Sequence, residues 1–99
     1  MNLYKFYWDC GRQGSVEGIF FSTPERIQKN LGNQVYFGEI LGKHSEISGI
    51  LEEEDVTLVT DDQDFVEKFR TFFPGGFGYD PFEAMSVEDE DDVEEELEN

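Results

Sequence analysis

The chain has 99 residues, of which 24 are acidic and 7 basic, giving a formal net charge of −17 at pH 7. This charge argues against direct binding to nucleic acid or to an anionic membrane, because phosphate groups would repel it. The single Cys10 rules out an internal disulfide and fits a reducing cytoplasm. We expect neither export nor a membrane span, because the sequence has no leader pattern and no apolar run of about twenty residues.

The chain begins with a pattern that predicts a β-hairpin. Residues 3–8 are aromatic and β-prone, and their alternation puts Tyr4, Phe6 and Trp8 on one face of a strand. A turn segment with two glycines follows, and residues 15–21 predict the returning strand.

A short helix and two further strands are predicted next. Thr23 is a good N-cap residue and Pro24 suits the first helical position, while Gly32 favours the end of the helix. Residues 34–41 and 46–51 then form two strand candidates that are separated by a turn.

The last predicted strand and helix are bracketed by acidic residues. Residues 56–60 have strong β propensity, and Asp61 or Asp62 is expected to cap the helix that follows. Pro74 and two glycines end this helix. Its apolar stripe at helical spacing comprises Phe65, Val66, Phe69, Phe72 and Phe73.

Together these elements predict an α+β domain over residues 1–85. The expected order is β-β-α-β-β-β-α, with two helices on one face of a mainly antiparallel sheet of about five strands. An irregular aromatic segment, residues 75–85, is expected to wrap back onto the sheet through Phe77, Tyr79 and Phe82. Residues 86–99 hold nine carboxylates and no basic residue, so we expect an acidic, disordered tail.

Three segments of the middle of the chain carry a resemblance. VYFGE at residues 35–39, LGKHSEISG at residues 41–49 and TDDQDF at residues 60–65 resemble small acidic bacteriophage proteins, over about residues 4–69. Those proteins have no assigned activity, so the resemblance implies no role for any residue. It implies a setting, which is a phage product acting in the bacterial cytoplasm on host nucleic-acid enzymes.

Seven carboxylates flank the predicted strand at residues 56–60 and form the first candidate site. Residues two apart on a strand are about 6.8 Å apart, comparable to neighbouring phosphates, so ordered carboxylates could imitate DNA. Hairpin loops and helix caps are the competing explanation, because acidic residues favour both. Glu17, Glu39 and Glu46 lie on neighbouring strands. The candidate partner-binding residues are Glu52, Glu53, Glu54, Asp55, Asp61, Asp62 and Asp64.

The segment with the only histidine is the alternative site. Lys43, His44 and Ser45 follow Gly42, and together with Arg12 they could bind a small, nucleotide-like ligand. The pattern lacks the rest of a phosphate-binding loop, and a solvated β-turn explains it equally.

The sequence therefore predicts an inhibitor that presents carboxylates to a basic nucleic-acid-binding protein of the nuclease, restriction, CRISPR or polymerase type. The alternative is a module that binds or sequesters a small ligand. We expect no catalytic residue, metal or cofactor, and a homodimer is compatible with the sequence.

Overall fold

The computed structural model of the chain describes residues 1–86 and residue 88. The predicted tail, residues 86–99, therefore lies outside the described residues except for Ser86 and Glu88. The strands are β1 (Asn2–Asp9), β2 (Ser15–Ser22), β3 (Gln34–Gly38), β4 (Ile47–Ile50), β5 (Val56–Thr60) and β6 (Phe77–Gly78), and the helices are α1 (Pro24–Asn30) and α2 (Gln63–Phe72).

The predicted α+β class is confirmed, but the strands form two sheets instead of one. A four-stranded antiparallel sheet has the order β5-β1-β2-β6, and β3 pairs with β4 in a separate two-stranded sheet. The sequence predicted five strands, and β6 is the additional one. It holds two residues, a length at which alternation gives no signal.

The hairpin of β1 and β2 determines which side chains share a face. Tyr4 is paired with Phe20, and Leu3 with Phe21, so these two pairs point to opposite faces of the sheet. We call the side of Tyr4 and Phe20 the core face. The side of Leu3 and Phe21 is called the α2 face.

The core face carries the main hydrophobic cluster. Phe6, Val16 and Phe20 lie there with at most 1% of their surface exposed. Above them pack α1 through Ile27 and the β3–β4 sheet through buried side chains. Phe37 of β3 contacts Phe6 with ring centroids 5.7 Å apart.

The first helix forms as its capping sequence predicts. The Thr23 hydroxyl accepts a hydrogen bond from the Arg26 amide at 3.1 Å, and Pro24 is the first helical residue.

The second helix packs on the opposite side of the sheet, so the prediction that both helices share one face is wrong. Phe69 contacts Phe21 with ring centroids 5.9 Å apart, and the Arg70 guanidinium lies 4.6 Å from the Phe21 ring centre. Sequence periodicity identifies the apolar stripe of a helix but not the sheet face that the stripe meets.

The predicted stripe of α2 is buried at only one position. Val66 is fully buried and Phe69 is partly buried, whereas the other three phenylalanines of the stripe are exposed. Phe72 is the extreme case, with 72% of its surface exposed. The helix is a single layer over part of the sheet, so its flanks remain in contact with solvent.

The segment after α2 returns to the sheet as predicted, but with one of its three aromatic residues buried. Phe82 joins the core cluster, whereas Phe77 and Tyr79 stay exposed. The close approach of the Tyr79 backbone to β2 depends on Gly18, because a Cβ there would lie 2.1 Å from the Tyr79 carbonyl oxygen. None of the helices in the described part of the chain is long and apolar enough to cross a membrane.

Candidate acidic interaction site

The acidic residues that flank β5 lie at the two ends of an edge strand. β5 lies at one side of the four-stranded sheet, where the one described strand beside it is β1. Glu52–Asp55, the first acidic cluster, directly precede β5. Asp61, Asp62 and Asp64, the second acidic cluster, follow it.

Hydrogen bonds between side-chain carboxylates and backbone amides hold the first acidic cluster in a 3₁₀ turn. The Glu52 carboxylate accepts a hydrogen bond from the Asp55 amide, and Asp55 Oδ2 accepts one from the Glu52 amide at 2.9 Å. This reciprocal pair is a capping box, which fixes the turn at both ends. Glu53 and Glu54 take no part in this capping box, and both are exposed.

Like charges crowd one another within the first acidic cluster. The negative charge of Glu54 raises the pKa of Glu52 above its usual value, and a hydrogen bond between the two side chains adds to this effect. The cluster is therefore a concentrated source of negative potential in which a cation would relieve repulsion.

The start of α2 orders the second acidic cluster. Asp62 is the N-cap, and its Oδ1 accepts a hydrogen bond from the Asp64 amide at 3.1 Å. Its own amide donates to Thr60 Oγ1 at 3.0 Å. Buried Val66 anchors the same turn, because its amide donates to the Asp62 carbonyl at 2.9 Å. Of the two predicted caps, Asp62 is confirmed and Asp61 is an exposed neighbour.

The five residues of β5 set the distance between the clusters. At a rise of about 3.4 Å per residue, the two groups are separated by roughly 17 Å. Ion pairs of the described residues join Lys5 to Glu17, Arg26 to Glu88 and Arg70 to Glu67, so they use no carboxylate of either cluster.

The other acidic candidates of the sheets lie away from this edge. Glu17 projects from the α2 face and pairs with Lys5 at 3.7 Å. Glu46 and Glu39 lie near Tyr36 of the β3–β4 sheet, and the charge of Glu46, with a smaller effect of Glu39, raises the pKa of Tyr36.

The residues of the alternative ligand site lie in two different turns of the structure. Lys43 and His44 are exposed in the turn between β3 and β4, where His44 has a positive φ of 67°. Ser45 is partly buried and its amide closes this turn by donating to the Gly42 carbonyl at 3.2 Å. Arg12 lies in the 3₁₀ turn between β1 and β2, and no described hydrogen bond or ion pair links it to His44.

One cavity combines residues that sequence analysis did not group. Its volume is about 240 Å³, and its lining includes Tyr36 and Phe37 of β3 together with Tyr79, Asp80 and Glu83. Burial raises the pKa of Asp80, opposed by a hydrogen bond from the Phe82 amide. The residues come from segments about forty positions apart, so spacing alone gave no signal.

Within residues 1–86 and residue 88, no group of three or more His, Cys, Asp or Glu side chains is arranged to hold a metal ion. Comparison of the chain with protein-family models, curated proteins and solved structures finds no match.

Proposed function

We propose that this protein is an acidic inhibitor that binds the basic surface of a nucleic-acid-binding protein and excludes DNA or RNA from it. The two acidic clusters at the ends of β5 are the proposed contact. The resemblance to small phage proteins suggests a target in the bacterial cytoplasm, such as a nuclease, a restriction or CRISPR enzyme, or a polymerase.

One observation supports this proposal most directly, namely that ordered backbone holds both clusters at one edge of the sheet. A capping box fixes the first cluster, and the N-cap of α2 fixes the second. Groups that are held in place before binding avoid the entropy cost of being ordered on contact. Carboxylates on a flexible loop would lack this advantage.

The pattern of ion pairs among the described residues also supports the proposal. Of the described ion pairs, none neutralises a carboxylate of either cluster. A surface that keeps its negative charge attracts a positively charged partner over a distance of about 8 Å at physiological ionic strength. Binding should therefore weaken steeply as salt is added.

The small-ligand alternative has less support. Its residues, Arg12 and Lys43–Ser45, lie in two different turns. A phosphate-binding site needs several convergent donors, whereas each of these turns offers one cation to solvent.

A variant with four fewer negative charges beside β5, called the edge variant, tests the proposal. Glu53→Gln, Glu54→Gln, Asp61→Asn and Asp64→Asn remove four charges but leave Glu52, Asp55 and Asp62 to hold the caps. The assay follows the release of labelled DNA, by fluorescence anisotropy, from a panel of purified bacterial nucleases, restriction enzymes, CRISPR effectors and RNA polymerase. We expect the full wild-type chain to release DNA from a panel member and the edge variant to lose this activity.

A second variant controls for net charge. Glu25, Glu39, Glu46 and Glu83 are exposed and belong to neither β5 nor its flanking clusters, and their joint change to Gln also removes four charges. We expect this control variant to release DNA as the wild type does. Equal DNA release by the edge variant and the wild type, with both folded, would refute the proposed site.

A further inference from the structure

The edge strand β5 is open for pairing with another strand. In the sheet order β5-β1-β2-β6 its one partner among residues 1–86 and residue 88 is β1, so its other side presents N–H and C=O groups that no described strand pairs with. Its side chains are poorly covered on both faces, because Leu58 is 48% exposed and Val59 is 46% exposed. The opposite edge of the sheet is β6, which has only two residues.

The strand itself lacks the usual protection against added strands. Natural edges are blocked by Pro, by Lys or by very short length, and the five residues of β5, VTLVT, contain none of these devices. A register shift near Leu3 bends the end of the strand, but Val56, Thr57 and Leu58 pair with β1 in regular register. A regular, exposed stretch is therefore available.

The charges at the two ends of β5 select the kind of strand that can be added. A second copy of this chain, paired antiparallel about Leu58, would bring the first acidic cluster of one copy beside the second acidic cluster of the other. Like charges placed opposite each other destabilise a strand pair. A strand with cations at both ends would instead meet a carboxylate cluster at each end.

We infer that β5 binds an extended segment of the partner protein as an added strand, through backbone hydrogen bonds. This segment carries Lys or Arg residues on both sides of about five β-forming residues. The inference rests on the proposed function, to which it adds the chemistry of the partner. Backbone pairing then supplies directional affinity, and the acidic clusters select for basic flanks.

Two synthetic peptides separate strand addition from simple charge attraction. The first has two lysines at each end and a centre of alternating valine and threonine; the second replaces two adjacent central residues with proline. Both carry the same charge, but one of two adjacent residues must point its N–H towards β5, and proline there cannot donate to the ladder. Each peptide is titrated into the ¹⁵N-labelled full chain and binding is followed by NMR. We expect the proline peptide to bind at least about tenfold more weakly than the first peptide, a loss of about 1.4 kcal/mol in binding free energy.

Amide hydrogen exchange locates the contact. The first peptide should slow exchange at amides of β5, while those of β4, also at a sheet edge, stay unchanged. The edge variant defined above should bind this peptide more weakly than the control variant with four other charges removed. Slowed exchange at β5 together with the proline effect would establish strand addition.

Three results would overturn the inference. Equal binding of both peptides would show that charge alone acts, which leaves the proposed inhibitor function intact. Equal binding by the edge variant and the control variant would show that the acidic clusters do not select the segment. The third result is self-association of the wild-type chain in sedimentation, together with slow hydrogen exchange of β5 amides when no peptide is present. It would show that β5 pairs with a second copy of the chain. Failure of the proposed function is recognised separately, by wild-type chain that releases DNA from no panel member.

Discussion

The two faces of the four-stranded sheet carry similar aromatic residues, but those residues are mostly buried on one face and mostly exposed on the other. On the core face, Phe6 and Phe20 are buried beneath α1, the β3–β4 sheet and Phe82. On the α2 face, Tyr7 is 45% exposed and Phe77 is 63% exposed. The difference shows that an aromatic residue in a strand becomes core only where enough other elements cover it.

The number of layers explains the difference. Three separate parts of the chain converge on the core face, whereas one ten-residue helix lies on the α2 face. That helix buries Val66 and packs Phe69 against Phe21, and a row of phenylalanine rings extends from this contact to Phe77. The main cluster of buried hydrophobic residues therefore lies on the core face.

The largest expected effect comes from truncating the core face. Phe6 is fully buried and its ring contacts Trp8 with centroids 5.1 Å apart. We expect Phe6→Ala to lower the free energy of unfolding by about 3–5 kcal/mol. The matched control is its neighbour on the α2 face, Tyr7→Ala, for which we expect a loss below about 1 kcal/mol. Urea denaturation measures both, and similar losses would contradict the assignment of faces.

A smaller effect is expected within α2. Val66→Ala removes two buried methyl groups and leaves a small cavity, so we expect a loss of about 1–3 kcal/mol, partly offset by the better helix propensity of Ala. Phe72→Ala, on the exposed flank, should change stability by no more than about 0.5 kcal/mol. A larger loss for Phe72→Ala than for Val66→Ala in thermal unfolding would mean that α2 packs through a different stripe.

The smallest expected effect is the contribution of Asp80 to the pH dependence of the free energy of unfolding. Burial, the largest cause, raises the pKa of Asp80, so the folded chain holds this proton at a higher pH than the unfolded chain does. The free energy of unfolding therefore falls as pH rises from the unfolded to the folded pKa of Asp80. Asp80→Asn keeps an acceptor for the Phe82 amide and should remove this fall.

Urea denaturation measures the free energy of unfolding of Asp80→Asn and of the wild type. The difference in favour of Asp80→Asn should be small at low pH and grow towards neutral pH. Asp9→Asn is the control, because Asp9 is exposed and its Oδ1 accepts the Gly11 amide in a similar local turn. Parallel pH profiles for the Asp80 variant and the wild type would show that Asp80 does not contribute this pH dependence.

Local interactions made much of the chain predictable. The Thr23–Pro24 start of α1, the Asp62 cap of α2 and the bounds of β5 all follow from residue types within a few positions of one another. The candidate site shares this property, since both acidic clusters and the strand between them are contiguous in sequence. Their order along the chain was therefore visible without a structure.

The sequence by itself determined the α+β class, the alternation of faces in β1 and the placing of carboxylates around β5, because these depend on propensity, capping and short-range periodicity. Only the tertiary structure decided that α2 lies opposite α1, that β3 and β4 form their own sheet and that β5 is an edge. Sheet order and layer packing depend on contacts between residues far apart in sequence. It also decided that Glu88, in the predicted tail, pairs with Arg26, 62 positions away. No local pattern encodes which of several apolar faces, or which of 24 acidic residues, will meet a distant partner.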